Sequence, residues 1–214
     1  VERSRGLGDV YKRQIEEVVV TGSYIKGSPT DGASPVEIIS RDTIDALSAS
    51  TVADITANLS INSGSENNVD SFTSGATQGT GNVNLRGLGL TSTLVLLDGK
   101  RHTLAGIAAN DGSVFVNTNI IPVNAIERVE VLKEGAASVY GSDAVAGVVN
   151  YIFRRDFEGI EVDVSTQETD LGGQTDDKVS VIFGTPLGNG NLVVAVSSLD
   201  TVSYTHLTLP TTPY

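Results

Sequence analysis

The chain has 214 residues, with 26 acidic against 14 basic side chains, a formal net charge of -12 and no cysteine. This acidic balance argues against a nucleic-acid binder, which needs a basic face, and the missing cysteine excludes disulfides and thiolate metal sites. No run of about 18 apolar residues occurs, which excludes a transmembrane helix but not a transmembrane barrel built from short alternating strands.

The two ends of the chain differ in composition from what lies between them. Residues 1–14 hold 4 of the 14 basic residues, whereas residues 202–214 carry no formal charge. Both resemble translated adapter sequence, and we expect both to be non-native tails that take no part in the fold. The alternative is a natural basic arm and a natural Pro/Thr tail.

A short strand and a linker follow the first tail. Ile15–Val20 is a β-branched run, which favours an extended strand. Thr21–Pro35 is rich in Gly, Ser, Pro and Asp, the composition of a flexible linker. Because such an isolated strand has no local partner, it is a candidate for pairing with another protein.

Short elements and long loops alternate over the next hundred residues. Pro35–Ser40 is typical of a strand, and Thr43–Leu47 of a short helix. Thr51 is placed to cap a second helix, with Asp54 at the matching capping-box position. The apolar stripe of this second helix is Val52, Ile55 and Leu59.

Two long polar loops flank the next strands. Ile61–Gly81 and Thr103–Thr118 are dominated by Ser, Gly, Asn, Ala and Thr, and loops of that length are usually functional or disordered. Between them, Asn82–Gly89 begins with the alternation of a strand. Leu94–Leu97 is a continuous apolar run, which predicts a strand buried on both faces.

The following segment predicts a turn of helix and two further strands. The helical turn is expected near Val123–Ile126, and the first strand over Arg128–Lys133, where valines alternate with charge. The second strand is expected over Val148–Phe153, which is apolar almost throughout.

The last natural segment has a strict period of two. Apolar Ile160, Val162 and Val164 alternate with polar residues, and the same pattern recurs at 179–183 and 192–198 on either side of a Pro/Gly/Asn turn. This pattern predicts antiparallel hairpin strands. It fits either the edge of a soluble sheet or the opening strands of a membrane barrel with apolar residues outside.

Residues that carry catalytic chemistry are scarce. Outside the tails the only histidine is His102, so a triad would have to use it, and no metal set with histidine or cysteine can be built. Gly87 and Gly89 resemble part of a dinucleotide fingerprint, but a strand rather than a helix follows them. Tyr140–Ala144 resembles a nucleophile elbow without its second glycine. We therefore expect neither an enzyme nor a cofactor or metal site.

Four segments in the same order resemble the N-terminal plug domain of TonB-dependent outer-membrane receptors. The first resembles the energy-coupling box, the second the opening strand and helices of the plug, the third its central strands and the fourth its closing segment. These segments are Ile15–Gly22, Ser34–Leu59, Asn82–Arg101 and Ile121–Arg155. The resemblance covers about 140 residues and its last segment is the most specific.

The resemblance implies a fold and a domain organisation. We expect an α+β plug domain with a small mixed sheet, short helices and long loops, followed by the opening antiparallel strands of a truncated transmembrane β-barrel. The family's barrel has roughly 22 strands and encloses the plug. The expected divisions are tails at 1–14 and 202–214, box and linker at 15–32, plug at 33–155 and the start of the barrel at 156–201.

The resemblance also implies a function and its site residues. We expect the plug portion of a receptor for energised uptake of a scarce nutrient, such as an iron chelate, cobalamin or an oligosaccharide. It would lie in the cell outer membrane, with the box in the periplasm and no nucleic-acid partner. The inner-membrane protein TonB would pair by strand addition with Ile15, Glu16, Glu17, Val18, Val19, Val20, Thr21 and Gly22.

Further residues are implied to contact the barrel and the ligand. Arg86 and Arg128 match plug positions that carry charged groups facing barrel acids, although both could be ordinary exposed strand residues. The ligand-facing loop residues would be Asn67, Asn68, Ser71, Phe72, Asn110 and Phe115.

Two other classes of protein stay open at this point. One is a secreted Gly/Asn/Ser-rich adhesin or surface-binding module, which would predict internal repeats, and none is seen. The other is a soluble α/β enzyme, which would need His102 in a pocket beside a nucleophile.

Overall fold

A computed structural model describes residues 36–67, 77–134, 136–168, 174–188 and 190–203 of the chain. The described part consists of a mixed-sheet domain, residues 36–153, which we call the plug after the expected family, and a three-stranded antiparallel sheet that follows it. Within these residues no helix has the length and apolar character needed to cross a membrane.

The elements are short in the plug and long in the second sheet. The α-helices are α1 (Arg41–Ala46), α2 (Val52–Ala57) and α3 (Ala137–Tyr140). The plug strands are β1 (Val36–Ile39), β2 (Thr93–Leu97), β3 (Lys100–Arg101), β4 (Ile126–Leu132) and β5 (Gly147–Phe153). The strands of the second sheet are β6 (Gly159–Glu168), β7 (Gln174–Leu187) and β8 (Gly190–Ser203).

The plug sheet is mixed, in the order β1-β4-β5-β2-β3. Strand β5 pairs antiparallel with β4 on one side and parallel with β2 on the other, so it joins the two halves of the sheet. The remaining pairs, β1 with β4 and β2 with β3, are antiparallel. The expected α+β fold with a small mixed sheet, short helices and long loops is confirmed.

The second helix begins where its sequence predicts. The Thr51 side chain accepts a hydrogen bond from the Asp54 backbone N–H at 3.3 Å, and the Asp54 carboxylate accepts one from the Thr51 N–H at 2.7 Å. This reciprocal capping box satisfies two backbone donors that the helix itself leaves free. The first helix begins two residues earlier than expected, at Arg41, whose guanidinium donates to the Val123 and Ile126 carbonyls.

The plug core lies on both faces of the sheet. Strand β2 is buried from Thr93 to Leu96, as its continuous apolar run predicts. One cluster joins the two longer helices to the sheet and includes Val52, Ile55 and Tyr151, all fully buried. Burial raises the pKa of the Tyr151 hydroxyl. A second cluster covers the opposite face and contains Leu96 and Val148.

The expected strand at Asn82–Gly89 is wrong. This segment makes one isolated bridge, at Leu85, and another lies just before it at Gly81, because side chains occupy two of its backbone donors. The Asn84 N–H donates to the Asn62 amide oxygen, and the Leu85 N–H to the Thr93 hydroxyl. Positive φ angles at residues 86, 87 and 89 then prevent a ladder.

The second sheet follows the predicted alternation. Strands β6, β7 and β8 have 10, 14 and 14 residues and pair antiparallel in chain order, long enough to cross a bilayer, which takes about 9–11 residues. One face of the sheet is exposed and apolar, and the other faces the plug. The exposed residues include Ile160, Val162, Val164, Val179, Val181, Phe183, Leu192, Val194 and Val196.

Candidate functional site

The plug meets the inner face of β6–β8 along a contact zone that we call the seam. At the end of the seam nearest the β5–β6 connection, the Arg154 guanidinium makes two hydrogen bonds of 3.0 Å to the Glu161 carboxylate. It also lies 4.3 Å from the centre of the Phe157 ring. The Asn191 amide donates to the Arg155 and Phe157 carbonyls at 3.2 and 3.0 Å. These contacts hold the connection between β5 and β6 against the strands.

A glycine permits this close approach. A Cβ atom at Gly184 would lie 1.9 Å from the Phe157 carbonyl oxygen, far inside van der Waals contact. Gly184 faces Gly159 across the β6–β7 pair, so two positions without side chains lie where the chain passes from the plug to strands β6–β8, which we call the wall strands.

The middle of the seam contains a polar cavity of about 300 Å³. Charged residues of α1, β6 and β7 line it, together with the buried side chains of Asn124 and Ser180. Lys178 reaches from β7 to the Ala49 carbonyl of the plug at 2.9 Å. At the opposite end of the seam, near the last residues of β6, the Ser50 hydroxyl lies 3.5 Å from the Gln167 amide oxygen, which is a marginal hydrogen bond.

The two arginines expected to face barrel acids are both engaged by the plug itself. Arg86 is exposed, and its guanidinium donates to the Ala146 and Val145 carbonyls at 3.2 and 2.8 Å. Arg128 donates through two nitrogens to one oxygen of Glu130, at 3.0 and 2.9 Å. Their contact with barrel acids stays a prediction.

Glu130 is the residue of this group that the sequence did not single out. Alternation with Val129 and Val131 placed it on a polar face, yet its side chain is fully buried. Both faces of β4 are covered here, so the alternating pattern does not separate core from solvent. The only signal was a glutamate two residues from an arginine on the same strand face.

One expected ligand-facing residue, Asn67, is part of an amide network at the base of its loop. Its amide donates to the Asp54 carboxylate at 2.8 Å, and its oxygen accepts from Asn119 at 3.1 Å. The Asn119 oxygen in turn accepts from the Ala53 N–H at 3.3 Å. The network ties the loop to the first turn of α2.

The second loop has a small core of its own. Asn110 is exposed at a turn, while Phe115 is only 2% exposed and packs with Leu90 and Ala109. The ring therefore supports the loop from beneath, and its contact with ligand stays a prediction. Neighbouring Asp111 accepts hydrogen bonds from the Ser113 hydroxyl and N–H, which lower the pKa of its carboxyl.

Several predicted residues lie outside the part of the chain that the structure describes. They are the box residues 15–22 and the loop residues Asn68, Ser71 and Phe72. The two tails, apart from the first residues of the second, lie outside it as well.

The pseudo-catalytic motifs do not form the sites they resemble. Gly87 and Gly89 precede a single 3₁₀ turn and then β2, so no helix N-terminus faces a phosphate. His102 is half-buried beside a cavity of about 240 Å³ and contacts the Thr103 carbonyl through Nδ1 at 2.9 Å. The described ranges contain no cluster of three side chains able to ligate a metal.

An exposed ion pair lies beside the same cavity. Arg101 bonds to the Asp143 carboxylate and to the Tyr140 carbonyl. The hydrogen bond from Arg101 lowers the pKa of the Asp143 carboxyl. This pair joins β3 to the turn after α3.

A small mixed-sheet domain seated on the polar face of long antiparallel strands is the arrangement of a plug inside a barrel wall. The sequence model of the TonB-dependent receptor plug domain matches residues 28–148, more than half of the chain. The chain therefore belongs to the TonB-dependent receptor plug domain family.

Solved receptors share the fold. The siderophore receptor PirA from Acinetobacter baumannii is 25% identical, with a TM-score of 0.57 over 77% of this chain and 24% of that one. A ferric enterobactin receptor, PfeA from Pseudomonas aeruginosa, is 23% identical, with a TM-score of 0.57 over 79% of this chain and 25% of that one. The ferric citrate transporter FecA is 21% identical, with a TM-score of 0.62 over 79% of this chain and 26% of that one.

The chain spans about a quarter of the length of these receptors. The matched proteins are described as receptors and a transporter.

Proposed function

We propose that this chain is the plug, with the first wall strands, of an outer-membrane receptor that takes up a scarce nutrient with energy supplied through TonB. One observation carries the proposal beyond family membership. Strands β6–β8 expose apolar side chains on one face and hold the plug on the other, polar face. That polarity suits a wall with lipid outside and a plug inside.

Iron chelates are the favoured nutrient class. The relatives are described as a siderophore receptor, a ferric enterobactin receptor and a ferric citrate transporter. Cobalamin and oligosaccharides are the alternatives. Asn67, Asn68, Ser71 and Phe72 of the first loop, together with Asn110 of the second, would meet the ligand at the outer end.

The energy-coupling partner would bind residues 15–22 in the periplasm. An extended β-branched segment can add as a strand to an exposed sheet edge, with backbone hydrogen bonds supplying affinity. The Gly/Ser/Pro-rich linker up to Pro35 would give the segment reach. The chain then enters β1, one of the two edge strands of the plug sheet, so a pull on the box would act first on that edge.

A peptide of residues 15–22 tests this partner directly. We expect the labelled peptide to bind the purified periplasmic domain of TonB, measured as a rise in the fluorescence anisotropy of the peptide. Val19→Pro removes a backbone donor and fixes φ, and is expected to weaken binding roughly tenfold or more. Val19→Thr keeps the donor and the β-branched shape and serves as the control.

Two results would contradict the proposal. One is no binding by the unaltered peptide, and the other is equal binding by the proline and threonine variants. The adhesin alternative has no support in the fold or in the family to which the chain belongs.

A further inference from the structure

Lys178 is a buried charged side chain on the face of β7 that contacts the plug. It is 8% exposed, and Ser180 and Ile182, further along the same strand face, are 2% and 0% exposed. The flanking Val179 and Val181 lie on the outer face and are exposed. The lysine side chain therefore lies on the face of the sheet that contacts the plug, opposite the exposed apolar face.

The ammonium group is held at the turn between α1 and α2. Its Nζ donates to the Ala49 carbonyl at 2.9 Å, in a buried hydrogen bond. Asp45 of α1 and Asp163 of β6, which have the opposite charge, and Arg41, which has the same charge, line the same cavity. A charged donor on a buried carbonyl makes a stronger hydrogen bond than a neutral one.

The Lys178 hydrogen bond connects a different part of the plug to the strands than the hydrogen bonds of Arg154 and Asn191 do. The contacts of Arg154 and Asn191 hold the exit of the plug, within 7 and 36 residues of their partners. The Lys178 contact spans 129 residues and reaches the first helices of the plug. Those helices follow β1, the edge strand next to the linker.

We propose that Lys178 is a positioning residue that holds the α1–α2 turn against strands β6–β8. It thereby determines how readily the first part of the plug separates from these strands. The inference deepens the proposed function, since it matters for uptake only if the plug is displaced through its N-terminal segment. The fastening itself is a property of this chain and needs no partner.

Cysteine labelling in the full 214-residue chain, purified in mild detergent, tests the fastening. Ala49→Cys places a thiol at the turn, where the parent side chain is 7% exposed, and leaves the acceptor carbonyl in place. Ala136→Cys places a second thiol in the cluster on the opposite face, where the side chain is 2% exposed. Reaction of each with a water-soluble maleimide is followed by mass spectrometry.

Loss of the ammonium should expose one reporter and not the other. In the Lys178→Met background we expect labelling at position 49 to rise about tenfold or more, the equivalent of one charge-assisted hydrogen bond, with no change at position 136. Lys178→Arg, which keeps a charged donor, should label at close to the parent rate. Lys100→Met removes an equal charge from the exposed strand β3 and should change neither rate.

Two outcomes overturn the proposal. An unchanged rate at position 49 in Lys178→Met means that the ammonium does not hold the turn. An equal rise in labelling at positions 49 and 136 means that the lysine stabilises the whole fold rather than the position of the α1–α2 turn. Failure of residues 15–22 to bind TonB would refute the proposed function and leave these labelling rates unaffected.

Discussion

Replacing Arg128 by methionine removes the guanidinium that holds a buried carboxylate. Glu130 is fully buried, and Arg128, with 16% of its side chain exposed, donates to it through two nitrogens. The variant keeps the aliphatic volume of the arginine but takes away the ion pair. The carboxylate then stays buried without the guanidinium that donates to it.

The expected cost follows from that burial. Breaking a buried ion pair by removing one partner costs about 3–5 kcal/mol, and the partial exposure of Arg128 places the cost near 3 kcal/mol. Glu130→Gln keeps a polar side chain of the same shape and should cost about 1–2 kcal/mol. The double variant should cost clearly less than the sum, with a coupling energy of about 2 kcal/mol.

Urea unfolding followed by far-UV circular dichroism measures these free energies. The chain is kept in mild detergent because β6–β8 expose an apolar face. Arg101→Met is the control, since it breaks a pair whose side chains are 51% and 56% exposed, and we expect only a small change. A coupling energy below about 0.5 kcal/mol would refute the pairing of Arg128 with Glu130 and favour a partner on the barrel.

Two further predictions concern a glycine and a carboxylate. Gly147→Ala should lower stability by about 2 kcal/mol or more in a thermal melt, because φ is +142° and the new Cβ would lie 2.6 Å from the Leu132 carbonyl oxygen. Gly106→Ala, where the added Cβ meets open space, is the control, and equal melting temperatures would contradict the reasoning. The pKa of Asp143, lowered by Arg101, should return toward its ordinary value in Arg101→Met, measured by carboxyl carbon NMR titration. The stabilisation from this contact is present at neutral pH and is lost as pH falls through the lowered pKa, and an unshifted titration in the parent would contradict it.

Local patterns predicted those elements whose causes are local. The Thr51 capping box and the alternation of β6 depend on residues within a few positions of each other, and both are confirmed. The buried strand β2 was also predictable, because an apolar run fits a strand covered on both faces.

The rest depends on contacts between distant residues. The strand expected at Asn82–Gly89 fails because Asn62 and Thr93 take its backbone donors. Lys178 stands in the polar phase of an alternating strand, where solvent is the usual expectation. Its acceptor lies 129 residues away, and only the packing of plug on wall brings the two together.

The central place of β5 has a consequence for how the domain is completed during synthesis. Strands β1 and β4 form one antiparallel pair and β2 and β3 another, and β5 joins the two pairs through its contacts with β4 and β2. A nascent chain that ends before Gly147 therefore holds two separate ribbons, each of a kind that is only marginally stable in water. Because the joining strand comes last and its parallel partner β2 lies far back in the sequence, we expect closure of the plug sheet to be a late and slow step of folding.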